Sequence, residues 1–386
     1  MFYLFFLVFF GTAIAEHPVE IKTHLINQQP SLTSSTYALY DPDSKTMLVT
    51  QNGDEKRPIA SLTKLMSLYV VSDALQNNFI KLNDPVKISR HAARMTGSKM
   101  FTNEGSSISV DQLINGAIIT SGNDSTMALA EHIAGNESSF VAIMNDFAKR
   151  IQLNDSHFSN ATGLIDKDNY STANDLAHLS AHIIQDFPKE YTRYHQKEMR
   201  FNGIKQKNRN RLLTSNKSVD GLKTGYTKLA GYCLAASELH HPMRLIAIVL
   251  GAPNESIRSQ DAQALLNYGF RFFKQGIIKP KTVFGQVKVW YGSAPAKIGV
   301  LDKLVYNQPR FTKEPVKAEY KLTVKQLVAP ISAGTVVGTL SIKQGDQILK
   351  TAQLQVVDGI KEKNVFFRFF DWIHLTFNKL LHRSLV

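Results

Sequence analysis

The first half of the chain moves from short apolar runs separated by polar turns to helical periodicity. Apolar residues at 36–40 and 47–50 flank the polar segment 41–45, which predicts a β-hairpin. From Ser61 to about Leu75 the apolar residues recur at helical spacing, so we expect Ser61 to open a helix. Four more segments carry helical patterns, at 110–119, 125–134, 140–151 and 173–184.

Strand character then returns. The runs 231–237 and 244–250 are joined by a polar turn at 240–242, and a last helix is predicted from about Ser259 to Phe273. Strands at both ends of this region with helices between them predict an antiparallel sheet flanked by helices, with an all-α insertion. The fold class is therefore α+β, and the first and last thirds of this region must meet in space.

Beyond Pro280 the pattern changes to short alternating strands, such as 320–325 and 352–356, with a turn at 344–346. The composition of these strands includes no cluster of catalytic residue types. We therefore predict two domains, an α+β domain over residues 16–277 and a small all-β domain over residues 278–358.

The C-terminal segment 359–386 has the pattern of an amphipathic helix. The apolar face carries Phe366, Phe369, Phe370, Ile373, Phe377, Leu380 and Leu381, and the opposite face carries Asn364, Arg368, Asp371, Asn378 and His382. An aromatic face beside basic residues is typical of an anchor that lies in the plane of an anionic membrane. The alternative is a helix packed on the β domain or on a partner.

The N-terminus carries an apolar block at residues 2–10, which is short for a membrane span and is followed by Ala13-Ile14-Ala15. This pattern favours a secretory signal peptide over residues 1–15, with the mature chain starting near Glu16. No Lys or Arg precedes the block, so a buried core segment is the alternative. We expect an exported protein.

Composition and charge narrow the possible partners. The chain has 386 residues, 43% of them hydrophobic, which is enough for two domains with packed cores. A formal charge of +13 would attract anionic polymers or lipids. Because export and the lack of a legible nucleic-acid module argue against nucleic acid, we expect none as a partner. The single cysteine, Cys233, allows neither an internal disulfide nor a thiolate zinc site, and its apolar surroundings predict a buried, inert thiol.

The strongest chemical signal is Ser61-Leu62-Thr63-Lys64 at a predicted helix start. The alternative is a helix cap, in which the residue three positions after the serine would be Glu or Gln. A lysine in the first turn is disfavoured by the helix dipole, and the same field would lower its pKa. A lysine of lowered pKa beside a hydroxyl is suited to act as the general base that activates a nucleophile.

Two further triads are weak when taken alone. Ser121-Gly122-Asn123 lies in a turn between helical segments, where its side chains could project into one cleft. Lys223-Thr224-Gly225 precedes the strand 231–237, and an edge strand bearing a cation, a hydroxyl and a glycine can bind an extended peptide. The three triads follow one another at intervals of about sixty and then about a hundred residues, and in this order they are strong evidence when taken together.

In this order the triads resemble the signature of the penicillin-recognising serine enzymes, Ser-x-x-Lys, Ser-x-Asn and Lys-Thr-Gly. The chain is most similar to the low-molecular-weight D-Ala-D-Ala carboxypeptidases of the penicillin-binding protein 5 and 6 group, peptidase family S11. Supporting stretches include 58–66, 121–131, 160–164, 208–210 and 219–227, so the resemblance covers nearly the whole chain.

The resemblance implies roles for individual residues. Ser61 would be the acylated nucleophile and Lys64 its base, with Ser121 and Asn123 on the second edge of the cleft. The substrate-carboxylate edge would be formed by Lys223, Thr224 and Gly225. Arg258 would assist in binding that carboxylate and Arg209 would lie near the cleft, although a surface salt bridge is the alternative for each arginine. Members of the group often have His where this chain has Tyr226.

The resemblance further implies an enzyme without metal or organic cofactor, which removes the terminal D-Ala from peptidoglycan stem pentapeptides and is acylated by β-lactams. It would support peptidoglycan synthesis and cell shape from the periplasmic face of the inner membrane. A β-lactamase of the same fold is disfavoured because no Glu occurs between Glu137 and Glu190, where class A enzymes carry their deacylating base. A DD-endopeptidase or transpeptidase acting on cross-links, and a non-catalytic wall-binding scaffold, remain as alternatives.

Overall fold

A computed structural model describes residues 30–383, and their side chains up to residue 376. The predicted signal peptide lies outside the described residues, as do the last three residues of the predicted tail helix. The described chain divides into two compact units, 30–273 and 274–383. The predicted domain boundary at 277/278 falls inside the strand Phe273–Ile278, which pairs with a strand of the second unit.

The first unit combines one large sheet with helices and short ribbons. Its strands are β1 Thr36–Asp41, β2 Thr46–Gln51, β3 Arg57–Pro58, β4 Pro85–Lys87, β5 Ser107–Ser109, β6 Tyr170–Ser171, β7 Glu198–Phe201, β8 Ile204–Lys207, β9 Val219–Thr227, β10 Gly231–His240 and β11 Met243–Ala252. Its helices are α1 Lys64–Gln76, α2 Arg90–Arg94, α3 Val110–Asn115, α4 Asn123–Ala134, α5 Glu137–Arg150, α6 Ala173–Asp186, α7 Pro188–Tyr191, α8 Leu212–Ser215 and α9 Glu255–Phe272.

The large sheet has the order β2-β1-β11-β10-β9, with every neighbouring pair antiparallel. The N-terminal hairpin therefore pairs with a strand from the far end of the unit, and the helices α1 to α8 lie between them in the sequence. The predicted α+β architecture is confirmed. Strand β9 lies at one edge of this sheet, which leaves one side of its backbone without a neighbouring strand of the sheet.

The core of this unit contains α1, which is buried along nearly its whole length and around most of its circumference. A helix apolar on most sides belongs in the centre of a core. Cys233 on β10 is completely buried, and burial raises the pKa of its thiol to about 11. The expected buried thiol is confirmed. Helix α9 starts four residues before the predicted position because Asn254 caps it by accepting a hydrogen bond from the Ile257 backbone.

The second unit is built almost entirely of strands. These are β12 Phe273–Ile278, β13 Thr282–Val287, β14 Val289–Trp290, β15 Ala296–Val300, β16 Leu304–Pro309, β17 Val316–Leu322, β18 Leu327–Val328, β19 Val336–Gln344 and β20 Gln347–Val356. Five of them form an antiparallel sheet of order β13-β15-β20-β19-β17. The predicted turn at 344–346 joins β19 to β20, as expected.

The last described element is helix α10, Val365–Arg383, whose polar face contacts the sheet of this unit. The Asp371 carboxylate accepts a hydrogen bond from the Tyr291 backbone N–H at 2.8 Å and pairs with Lys363 at 2.9 Å. On the other face, among the side chains up to residue 376, Phe366 is 68% exposed and Trp372 is 54% exposed. Across residues 30–383, no helix has both the length and the apolar character that crossing a bilayer requires.

Candidate active site

Ser61 lies in a 3₁₀ turn, Ala60–Thr63, immediately before α1. The regular helix therefore begins at Lys64 rather than at Ser61, three residues after the predicted start. Neither Ile59 nor Thr63, the cap positions of the two segments, makes a side-chain capping hydrogen bond. The Lys64 Nζ atom lies 3.0 Å from Ser61 Oγ, so this serine faces the lysine and is not the helix cap of the alternative interpretation.

The Lys64 amine is completely buried and has two further hydrogen-bond partners. Its Nζ donates to Asn123 Oδ1 at 2.7 Å and to the Thr162 carbonyl at 2.6 Å. The pKa of Lys64 is lowered to about 7, mainly by burial and to a smaller extent by repulsion from Arg209, while attraction by Asp124 acts in the opposite direction. The predicted direction of this pKa shift is confirmed. Its main cause is desolvation of the amine, whereas the sequence pattern had suggested the helix dipole as the cause.

Ser121 and Asn123 lie where a π-helical turn, Gly116–Thr120, meets α4. Ser121 has a φ of 59°, in the left-handed region, and this ends the turn. The predicted helix 110–119 is therefore α-helical only as far as Asn115. Asn123 Nδ2 donates to the Thr96 carbonyl at 2.6 Å, which fixes the amide so that its oxygen faces the lysine of the first triad.

A loop that the sequence analysis did not identify supports this edge of the site. The Asp124 carboxylate accepts backbone hydrogen bonds from Met100, Phe101 and Thr102, each at 2.9 Å. The Asn123 backbone N–H in turn donates to the carbonyl of residue 98 in the same loop at 2.7 Å. These contacts join segments more than twenty residues apart, and no local sequence pattern in the loop predicts them.

Lys223 connects the sheet edge to the helical side of the site. It lies on the edge strand β9, and its Nζ donates to Ser121 Oγ and to the Thr224 carbonyl, both at 2.8 Å. The side chain is buried, and desolvation, followed by repulsion from Lys64, holds the pKa of Lys223 well below its usual range. The three triads predicted from the sequence are therefore brought together in one hydrogen-bonded cluster.

Two glycines allow the surrounding backbone to approach the serine turn closely. A Cβ atom on Gly225 would lie 2.9 Å from the Ile59 carbonyl and 3.1 Å from the Ser61 nitrogen. Gly163 has a φ of 81°, and a Cβ there would lie 1.9 Å from the Ala60 carbonyl. Only glycine fits at such positions, so the turn that carries Ser61 is held between β9 and the loop that contains Gly163.

That loop, 160–163, supplies the carbonyl that binds Lys64, a role that the sequence analysis did not assign. Asn160 Oδ1 accepts from the Gly163 backbone N–H at 2.7 Å, and Glu137 Oε1 accepts from Ala161 N–H at 3.0 Å. The signal available in the sequence was an asparagine with a glycine three positions later, residue types that are both typical of tight loops. Sequence alone could not show which carbonyl this loop presents.

The two arginines lie near the cluster without joining its hydrogen bonds. Arg258 is buried, pairs with Glu255 at 3.1 Å and donates to the Arg209 carbonyl at 3.4 Å. Among the described residues, its Nε atom has no hydrogen-bond partner. The Arg209 side chain is exposed, and the charges of both arginines contribute to the lowered pKa of Lys223. Arg258 is thus paired, but not at the surface.

Tyr226 directly follows the Lys-Thr-Gly triad and is 51% exposed. Its ring centroid lies 4.2 Å from that of Tyr232, across the β9–β10 pair. The Arg258 guanidinium lies 5.7 Å from the centroid of the same Tyr232 ring. Tyr226 and Tyr232 therefore form an aromatic pair beside the Lys-Thr-Gly triad.

Family comparison decides what kind of enzyme this cluster belongs to. The D-alanyl-D-alanine carboxypeptidase model of the peptidase S11 family matches residues 23–254, and a model of the penicillin-binding protein 5 C-terminal domain matches residues 272–362. The chain belongs to the peptidase S11 family of D-alanyl-D-alanine carboxypeptidases. The predicted family and enzyme class are confirmed.

Individual relatives agree with this assignment over most of the chain. The D-alanyl-D-alanine carboxypeptidase DacC of Escherichia coli (strain K12) is 40% identical over 91% of this chain and 90% of its own length. The crystal structure of penicillin-binding protein 5 from Haemophilus influenzae is 38% identical and matches with a TM-score of 0.83, covering 87% of this chain and 99% of that chain.

A third neighbour was solved with a β-lactam. Penicillin-binding protein D2 from Listeria monocytogenes, in its ampicillin-bound form, is 30% identical and matches with a TM-score of 0.58, covering 63% of this chain and 99% of that chain. In the part of our chain that the structure describes, no group of three or more His, Cys, Asp or Glu side chains is arranged to hold a metal ion.

Proposed function

We propose that the protein removes the terminal D-Ala from peptidoglycan stem pentapeptides through an acyl-enzyme on Ser61. The observation that carries this proposal is the set of partners around the Lys64 amine. Asn123 Oδ1 and the Thr162 carbonyl can only accept hydrogen bonds. A neutral amine has two N–H donors and one lone pair, so both donors serve these acceptors. The lone pair is then left for Ser61, the one partner of the three with a proton to give.

In the first step, Ser61 Oγ attacks the carbonyl carbon of the penultimate D-Ala while its proton passes to Lys64 Nζ. The oxyanion that forms is stabilised by backbone N–H groups of Ser61 and of strand β9, which Gly225 allows to lie close to the serine turn. Collapse of the intermediate breaks the peptide C–N bond. Ser121 relays the proton from Lys64 to the leaving amine, and D-Ala departs.

In the second step, water attacks the ester carbonyl and gives its proton to Lys64, and Ser61 Oγ recovers a proton as the C–O bond breaks. The Glu137 carboxylate contacts the loop 160–163, where it accepts a hydrogen bond from the Ala161 N–H. Because no Glu occurs between Glu137 and Glu190, where class A β-lactamases carry their deacylating base, a β-lactam ester on Ser61 would be hydrolysed slowly. We therefore expect a long-lived penicillin adduct rather than β-lactamase turnover.

The terminal carboxylate of the substrate would bind where positive charge is concentrated on the β9 side. Lys223, Arg209 and Arg258 lie close enough to one another for their repulsion to lower the pKa of Lys223. Within residues 30–383, Lys223 donates to Thr224 and Ser121 and has no carboxylate partner, and the Nε of Arg258 is a donor without an acceptor. An incoming carboxylate would relieve this repulsion, which favours a free C-terminus over an internal peptide.

The experiment that tests the mechanism is mass spectrometry of the penicillin adduct, combined with a D-Ala release assay. We expect one adduct on Ser61 that persists for many turnovers of peptide, and loss of both labelling and release in Ser61→Ala. Rapid loss of the adduct would indicate a β-lactamase. Preferential cleavage of a cross-linked dimer would indicate an endopeptidase, and release that survives Ser61→Ala would refute the nucleophile assignment.

We also propose that the protein is exported and that α10 binds anionic lipid at the periplasmic face of the inner membrane. The helix contacts its own unit through Asp371 and leaves Phe366, Phe369 and Trp372 exposed, which is the arrangement an in-plane anchor needs. Deletion of the residues after Lys361 should move the protein from the membrane fraction to the soluble fraction. Unchanged fractionation would favour the packed-helix alternative.

A further inference from the structure

Strand β9, which carries the Lys-Thr-Gly triad, contains one residue more than the segment of β10 that it pairs with. Gly221 lies opposite Ser237, whereas Val219 lies opposite the very next residue of β10. Asp220 is thus an extra residue, and it forms a β-bulge three positions before Lys223.

The bulge sets the direction in which the triad faces. Without the extra residue, the pairing would continue one position at a time from Val219. Lys223 would then lie opposite Leu234 instead of Ala235. A slip of one residue turns the side chains of a strand to the other face of the sheet. The Lys223 amine would therefore lose Ser121 Oγ, to which it now donates at 2.8 Å.

The Asp220 side chain holds the bulge against two other strands and a helix. Arg244, on β11, binds its carboxylate with both terminal nitrogens at 2.8 Å. The Tyr191 hydroxyl, at the end of α7, donates to the same carboxylate at 2.5 Å. Arg244 also donates to Ser237 Oγ, on β10, at 2.5 Å.

The loop that carries Arg209 is attached to the same bulge. The buried Asn210 side chain donates through Nδ2 to the Gly221 carbonyl at 2.9 Å. In the proposed function, Lys223 and Arg209 lie where the terminal carboxylate of the substrate binds. The position of both cations therefore depends on the bulge.

The ion pair of the bulge is partly buried, with the Arg244 side chain 14% exposed and that of Asp220 30% exposed. Removal of two charges from water costs much of what their attraction returns, so such a pair adds little net stability. A bidentate arginine–carboxylate pair nevertheless fixes geometry through two parallel hydrogen bonds.

We propose that Asp220 is a positioning residue, held by Arg244 and Tyr191 so that the bulge directs the Lys-Thr-Gly triad at the terminal carboxylate of the substrate. This inference rests on the proposed function, in which Lys223 helps to bind that carboxylate. Asp220 acts through β9 rather than on the substrate itself. Its loss therefore affects substrates that carry the carboxylate and spares those that lack it.

The test uses the full-length protein and two thioesters that differ in one group. N-acetyl-D-alanyl thioglycolate carries a carboxylate on its leaving thiol, and the ethanethiol ester of N-acetyl-D-alanine carries a methyl group there. In Asp220→Asn, kcat/KM for the thioglycolate ester should fall between about tenfold and about a hundredfold, since a misplacement of about 1 Å can cost the larger figure. For the ethanethiol ester, kcat/KM should stay within about twofold of the wild type.

Arg244→Met removes the other half of the pair and should give the same pattern. If the two residues act as one unit, the double variant should lose no more than about twofold beyond Asp220→Asn alone. Losses that multiply would show that the two residues act separately, and the bulge would not be a single positioning device.

The matched control is Asp111→Asn. Asp111 pairs with Arg193 at 2.6 Å, and this arginine side chain is also 14% exposed. The control should leave kcat/KM for both thioesters within about twofold of the wild type.

Equal losses on the two thioesters in Asp220→Asn, or no loss on either, would overturn the positioning role. A wild-type preference for the thioglycolate ester would still leave the proposed function intact. If the wild type acts equally on both thioesters, the proposed carboxylate site fails and the positioning role of Asp220 fails with it.

Discussion

The lysines of the cleft differ from Lys343 of the C-terminal sheet in their burial and in the charge of their partners. Lys64 and Lys223 are buried with hydroxyl, amide and carbonyl partners, and desolvation lowers the pKa of each. On the sheet β17–β19, Lys343 pairs with Glu319 at 2.6 Å, and both side chains are substantially exposed. Water screens such a surface pair, so it contributes little to stability. Burial among neutral acceptors therefore distinguishes a reactive lysine from an ordinary one.

The largest test of this contrast is Lys64→Met. Removal of the proposed base should lower the rates of penicillin acylation and D-Ala release by about 10²- to 10⁴-fold, the usual contribution of general-base catalysis. The rates should be measured on protein whose circular dichroism spectrum matches the wild type. A variant that acylates within tenfold of the wild-type rate would show that another group accepts the Ser61 proton.

The second test is the pH dependence of acylation. Because the pKa of Lys64 is lowered to about 7, the amine is neutral above this pH and protonated below it. Only the neutral form can accept a proton, so the acylation rate should rise about tenfold per pH unit up to pH 7 and then level off. Stopped-flow kinetics with a fluorescent penicillin between pH 5 and 9 would measure this. A flat or falling profile in that range contradicts the assignment.

The third test compares a glycine at each of the two regions. Gly163, beside the serine turn, and Gly334, in the C-terminal sheet unit, have φ values of 81° and 87°. In Gly334→Ala the new Cβ meets no atom closer than 3.6 Å, so only the backbone strain of about 1 kcal/mol is expected. Gly163→Ala should cost about 2 kcal/mol more, because its Cβ also collides with the Ala60 carbonyl. Denaturant unfolding of both variants measures the difference, and equal losses would refute the collision.

The smallest expected effect is that of Lys343→Met. This change removes a lysine as the first test does, but from an exposed pair. Penicillin acylation should be unchanged and the melting temperature should shift within experimental error. A loss of acylation in this variant would mean that charge on the second unit influences the cleft. It would contradict the conclusion that only the buried lysines contribute to acylation.

The sequence predicted the parts of this molecule that local patterns determine. The hairpin of β1 and β2 and the pairing of Ser61 with Lys64 follow from periodicity and spacing, whereas the strand β9 that carries Lys223 was not predicted from the sequence pattern. The start of α1 was predicted too early, because the same apolar spacing accommodates the 3₁₀ turn that precedes it. Local sequence does not determine which of these forms.

The missing parts of the site are contacts between distant segments. Thr96 orients the Asn123 amide and the Thr162 carbonyl binds Lys64, yet both contribute a backbone carbonyl, which every residue possesses. No residue type could have indicated them. The extent to which Lys64 is buried could not be predicted from the sequence either, because it depends on how helices far apart in the sequence pack around α1.

The orientation of Asn123 explains why the second triad ends in an amide rather than an acid. An Asn123→Asp change would replace the side-chain NH₂ group by an oxygen with almost no change in shape, but it would place a negative charge beside Lys64. Such an ion pair would raise the pKa of the lysine and keep its proton in place at neutral pH. The protonated lysine would then have no lone pair to accept the Ser61 proton, and the serine would not be activated. A neutral side chain at this position is thus what keeps the proton mobile.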